Sequence, residues 1–198
     1  MSQQQNDFNS FALIEEMINK AKNNFSESGT LFLIWGFVIL VCSLVHFTAA
    51  YFFNNQNFSV IWMLTWAASI FQIFYLKRKA RQKKVKTYTD DVLKYMWIVF
   101  FICMVLMVFI LIWQKAFYSI NPAILVLYGI PTFLTGIILR FRPLIIGGIC
   151  CWLLSIGSVL THWHFQLLYI AGAGIAAWII PGFYLRQKYL KENSNNGR

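Results

Sequence analysis

A chain of 198 residues with 59% hydrophobic and 18% aromatic residues but only 12% charged ones lies far outside the composition of an ordinary soluble domain. Its net charge of +10 comes from 17 basic and 7 acidic residues. The acids (Asp7, Glu15, Glu16, Glu27, Asp90, Asp91 and Glu192) all stand outside the long apolar runs, so the chain reads as one solvated by lipid.

Residues 1–30 predict a cytoplasmic amphipathic helix. Phe8, Phe11, Ile14, Ile18, Ala21 and Phe25 recur at spacings of three and four, and Glu15, Glu16, Lys20 and Lys22 lie opposite them. Such a helix suits the inner leaflet or the underside of a bundle, with docking of a soluble partner as the alternative. No basic start with a short apolar core and a small-residue cleavage site precedes it, so the first span is expected to direct insertion itself.

A bilayer core of about 30 Å needs roughly 20 helical residues. Apolar runs of about that length fall at 31–53, 59–76, 95–113, 120–139, 144–160 and 165–185. They are too long and too uniformly apolar for barrel strands, and lipid offers no partner to exposed backbone groups. The expected fold is therefore all-α: a polytopic bundle of six transmembrane helices over residues 31–185, with a basic connection at 77–94 and a basic tail at 186–198.

Orientation follows from the cations. Lys20 and Lys22 precede the first run. Eight basic residues lie between the second and third, Arg140 and Arg142 between the fourth and fifth, and Arg186, Lys188, Lys191 and Arg198 in the tail. The opposite side holds only Lys115. Sixteen against one places both termini in the cytoplasm by the positive-inside rule.

The stretch "KRKARQKKVK" carries Lys77, Arg78, Lys79, Arg81, Lys83, Lys84 and Lys86. Held in a short connection between two spans, these cations are expected to meet anionic headgroups at about 1 kcal/mol each. No folded reader or aromatic platform accompanies them, so nucleic acid is not an expected partner. The following "TYTDD" predicts a helix start, with Thr87 as cap and Asp90 and Asp91 in the first turn, where the helix dipole favours carboxylates.

Further along, Pro143 in "RFRP" suits the start of the fifth helix. Gly147, Cys151, Ser155 and Ser158 make a small-residue stripe that predicts close helix packing, as do Gly129 and Gly136. Pro131 and Pro181 are positions where a helix can kink or end. Cys42, Cys103, Cys150 and Cys151 all sit in apolar runs and suggest neither a disulfide framework nor a zinc site.

His46, His162 and His164 fall on the outer side, and Cys42 shares a face with His46. Imidazoles are common metal and haem ligands, so these three histidines are the candidate metal site; the alternative is a wetted interfacial Trp and His group. No cofactor is otherwise expected. No charged residue interrupts the interior of a span, which argues against a proton-coupled carrier. The remaining intramembrane polar groups, Ser43, Thr65, Ser69, Gln72, Thr132, Thr135 and Ser155, suit interhelical hydrogen bonds. No catalytic constellation or phosphate-cradling loop is present in the sequence, and an enzyme is not expected.

The segments "LFLIWGFVILVCSLVHF", "KKVKTYTDDVLKYMWIVF", "ILVLYGIPTFLTGIILRFRPLIIGGICCW" and "IPGFYLRQKY" resemble a family of uncharacterised six-span inner-membrane proteins of Bacteroidota-type bacteria. The resemblance implies a bacterial inner membrane and transfers no site. The expected function is that of a non-enzymatic interaction, regulatory or scaffold subunit. Its expected partners are membrane lipids with anionic headgroups, together with a cytoplasmic protein or a second copy. A small carrier or channel for a neutral or lipid-like molecule is the alternative, and a metal- or haem-binding membrane protein the second.

Overall fold

The computed structural model describes residues 29–53, 60–82 and 88–196. The expected amphipathic helix at the N-terminus, Thr87 and Lys83, Lys84 and Lys86 lie outside these residues. Every regular element among the described residues is helical. In chain order they are α1 (Gly29–Phe52), α2 (Met63–Gln82), α3 (Tyr88–Trp113), α4 (Ile120–Ile138), α5 (Arg142–Val159), α6 (Trp163–Gly174), a π-helical turn (Ile175–Ile179) and α7 (Ile180–Asn196). A 3-10 turn at Phe117–Ser119 leads into α4.

Five stretches are long and apolar enough to cross a membrane: Gly29–Phe52, Asp91–Trp113, Phe117–Ile138, Arg142–Val159 and Trp163–Gln187. The chain is a multi-pass helical membrane protein. The run expected at 59–76 is helical too, but its apolar stretch, Val60–Tyr75, belongs to a shorter class.

Packing separates a core from an outlying pair. The α4–α5 hairpin forms the tightest contact, α1 runs along α6, the π turn and α7, and α5 packs on α6 and the π turn. The stripe of Gly147, Cys151, Ser155 and Ser158 is buried along its whole length. A Cβ on Gly148 would lie 2.9 Å from the backbone of Phe133, and one on Gly147 2.8 Å from the backbone of Ala176 and Ala177. Outside this core, α2 leans on α1 and α3 on α4. From 94 to 113 no residue of α3 is buried, so most of that helix is clothed by lipid.

Two helix ends are closed without glycine. After α4, Arg140 adopts φ 48°. Its N–H bonds the Ile137 carbonyl at 3.0 Å, and the Phe141 N–H bonds Gly136 at 2.8 Å. After α3, Lys115 adopts φ 58° with the equivalent pair, to Ile112 at 3.0 Å and from Ala116 to Leu111 at 2.8 Å. Both are Schellman motifs, in which a residue in the left-handed region lets the orphan carbonyls of the last turn find donors. A cation at this position also complements the negative end of the helix dipole.

The π turn has a local cause. Pro181 has no N–H, and its ring presses on the preceding turn. The helix widens instead of breaking, and the Ile180 N–H reaches back five residues to the Ile175 carbonyl. The Ala176 carbonyl, deprived of a donor at position 181, lies against Gly147, where the absence of a side chain leaves room for it.

Candidate functional site

On the side expected to face outward, α1 gathers the start of α2 and the start of α6. The Cys42 thiol donates to the Ile61 carbonyl at 3.5 Å. One turn later the Trp62 indole N–H donates to His46 Nδ1 at 3.0 Å. His46 is therefore an acceptor at Nδ1, and its neutral ring carries the proton on Nε2.

Around it the aromatic rings are continuous. His46 lies 6.4 Å from Trp163, whose ring is 3.8 Å from that of His164. Tyr51 touches His164 at 6.4 Å and Phe165 at 5.8 Å, and Phe47 stacks on Tyr51 at 5.5 Å. His46 and His164 thus converge on Trp163. His162 stands apart from this stack, exposed at the N-cap of α6, where its carbonyl accepts from Phe165 at 2.9 Å. Among the described residues no group of three or more His, Cys, Asp or Glu side chains is placed to hold a metal ion.

At the opposite end of the outlying pair, α2 carries the basic stretch. The helix runs without a break from its apolar part into Lys77, Arg78, Lys79 and Arg81 and ends at Gln82. Lys77 and Arg78 are exposed.

A third group occupies the interior and was not singled out as a site by sequence. The Trp35 indole N–H donates to Gln72 Oε1, joining α1 to α2. Trp35 meets Trp178 edge to face at 6.2 Å, Trp178 meets Tyr128 at 4.9 Å, and Tyr128 meets Phe100 at 5.8 Å. Phe100 meets Trp97 at 5.5 Å and Trp97 meets Phe32 at 6.4 Å; Phe32 precedes Trp35 by three residues on α1. Six rings drawn from α1, α3, α4 and the π turn therefore form one chain of contacts whose two ends, Phe32 and Trp35, stand one helical turn apart on α1. The sequence offered little signal for it: Trp35 and Trp97 stand near the start of their apolar runs, where tryptophans ordinarily mark the membrane interface.

Half of the buried polar side chains have partners, both within a helix and between helices. Ser155 donates to the Pro122 carbonyl at 2.8 Å, Thr132 to Tyr128 at 2.8 Å, and Asn121 to Gln166 at 3.3 Å. Ser43, Thr135 and Ser158 hydroxyls and the Trp178 indole nitrogen are buried with no hydrogen-bond partner.

Comparison supplies no relative. No protein-family model matches the chain, and no curated protein or solved structure matches it either.

Proposed function

We propose that the chain is a six-span bacterial inner-membrane protein with both termini in the cytoplasm, and that it works by interaction rather than catalysis. In this reading its basic connection and its N-terminal segment engage anionic headgroups, a cytoplasmic partner or a second copy. The observation that carries it is the unbroken continuation of α2. Beyond Tyr75 the helix adds residues 76–82, about 10 Å at 1.5 Å per residue. A headgroup layer is about 5–8 Å deep, so the extension reaches through it. Lys77 and Arg78, both exposed, thus stand at phosphate level on a rigid support.

The same continuation accounts for the short apolar length of α2. A span shorter than the hydrocarbon is accommodated by snorkelling cations and local thinning, at a fraction of a kcal/mol per Å. The lopsided distribution of cations supports the cytoplasmic placement of the termini, and the resemblance to the Bacteroidota-type family supports the inner membrane.

The test compares the full chain with a variant in which Lys77, Arg78, Lys79, Arg81, Lys83, Lys84 and Lys86 are all Gln, each in phosphatidylcholine nanodiscs with increasing phosphatidylglycerol. Thermal stability of the native chain is expected to rise with the anionic fraction and to lose that gain in high salt. An equal rise in the variant would remove the basis for the proposal.

A further inference from the structure

Beyond this reading, we propose that the ring circuit of Phe32, Trp35, Trp97, Phe100, Tyr128 and Trp178 is a binding site for a neutral, flat, conjugated dicarbonyl compound dissolved in the bilayer, of the quinone type. Four features, two of them properties of Trp178, converge on it.

The first is an unanswered donor. Trp178 is 5% exposed, yet its indole N–H meets no acceptor. A buried donor left unpaired costs about 1–3 kcal/mol, and it calls for an explanation. In hydrocarbon no water is at hand to offset the cost. A carbonyl oxygen is the complement this group lacks.

The second is where that donor sits. Trp178 belongs to the π turn Ile175–Ile179, and such turns recur at functional sites, where they push a side chain out of the regular helical register. The backbone departure forced by Pro181 falls on the stretch that carries this indole.

The third is an open margin. Phe32, Tyr128 and Trp178 are buried, whereas Trp35, Trp97, Phe100 and the adjacent Met104 are only half-buried although they pack against the same core. Helix α2 packs on α1 and α3 on α4, while α2 and α3 meet mainly through Trp66 and Phe101, at 6.3 Å. The half-buried rings therefore leave the circuit a partly uncovered side.

The fourth is the chemistry of the wall. Its members are electron-rich rings meeting at edge and tilted angles, which favour a flat electron-poor guest. Among the described residues no charged side chain is buried, so an ionic ligand would be left without a partner there. Gln72 adds a second donor: its carbonyl is taken by Trp35, and its amide nitrogen carries two N–H groups. Trp178 and Gln72 both touch Trp35, and a flat ring bearing two carbonyls offers an acceptor to each.

The full chain in phosphatidylcholine nanodiscs is titrated with decylubiquinone, with decanol as the apolar control, and tryptophan fluorescence and melting temperature are followed. Saturable quenching at one quinone per chain is expected, with a rise in melting temperature that decanol does not produce. Trp178→Phe and Gln72→Leu are each expected to weaken binding about tenfold, the worth of one buried hydrogen bond. Ser158→Ala removes another unpartnered buried donor away from the circuit and is expected to leave binding unchanged. Should Trp178→Phe fail to fold, Gln72→Leu alone decides. Quenching that stays linear, or saturable binding indifferent to Gln72→Leu, overturns the proposal. Displacement of the quinone by raising the phospholipid content at constant quinone density would assign the site to lipid esters and overturn it as well.

Discussion

Alanine at Gly147 tests the packing of the core with an internal control. Its Cβ would lie 2.8 Å from both the Ala176 carbonyl oxygen and the Ala177 Cα, backbone atoms of the π turn that cannot swing aside as a side chain could. Ordinary contact would require α5 and the π turn to part by more than half an ångström. Overpacking of this kind costs about 1–3 kcal/mol. Glycine to alanine also raises helix propensity by up to about 1 kcal/mol, which blurs the result for any single variant. Gly172, on α6, removes that ambiguity: a Cβ there meets nothing nearer than Leu154 at 3.8 Å, an ordinary contact. The propensity term is common to both sites and cancels. Gly147→Ala is therefore expected to be less stable than Gly172→Ala by about 1–3 kcal/mol, about 5- to 140-fold in the unfolding equilibrium. Reversible unfolding in mixed micelles, followed by circular dichroism, measures the difference. Equal stability of the two variants would refute the close approach of α5 to the π turn.

Three other outcomes are expected. A double-mutant cycle on Trp62→Phe and His46→Phe should return a coupling of about 0.5–1.5 kcal/mol, the net worth of their hydrogen bond; additive effects would mean the bond is not made. At the left-handed position after α3, Lys115→Val should lose about 1–2 kcal/mol and Lys115→Gly almost nothing, read by the same unfolding assay; tolerance of valine would contradict the Schellman geometry. With the four native cysteines replaced by Ala or Ser, Thr161→Cys should react with an impermeant maleimide in intact cells, and reaction only after lysis would reverse the proposed orientation.

Much of the architecture was legible because lipid imposes a simple requirement, apolar length without charge. The run expected at 120–139 corresponds to α4 at Ile120–Ile138, and "RFRP" marked the start of α5 at Arg142–Val159. Helix α3 begins at Tyr88, inside the "TYTDD" start signal, rather than at the first uniformly apolar residue. The small-residue stripe on α5 was read correctly as a packing face. Gln72 was read as an interhelical hydrogen-bonding group, and Trp35 is its partner.

Other features had no legible signal. Lys115 and Arg140 close helices in a conformation usually announced by glycine, so neither motif could be seen. Pro181 signalled a kink or an end, yet the helix passes through it, because the π turn accommodates the missing donor without a break. The histidines were grouped by topology alone, which cannot tell that His46 is engaged by Trp62 while His162 stands exposed at the N-cap position of α6. The ring circuit escaped notice for a similar reason: it joins residues up to 146 positions apart, Phe32 to Trp178, and apolar spans carry too little periodicity to say which faces meet.

The widened turn between α6 and α7 also works as a phase shifter. Gly174 lies against Ile39 and Gly182 against Leu33, both on α1. Eight residues apart on a regular helix, the two glycines would point about 80° away from each other. Taking up one extra residue in the wider turn reduces that to about 20°, so a single seam with α1 continues along both halves of the last span. Loss of one residue between 175 and 179 would rotate everything downstream by roughly a quarter turn and peel Leu185 away from Gly29 on α1, although neither of those two residues had been altered.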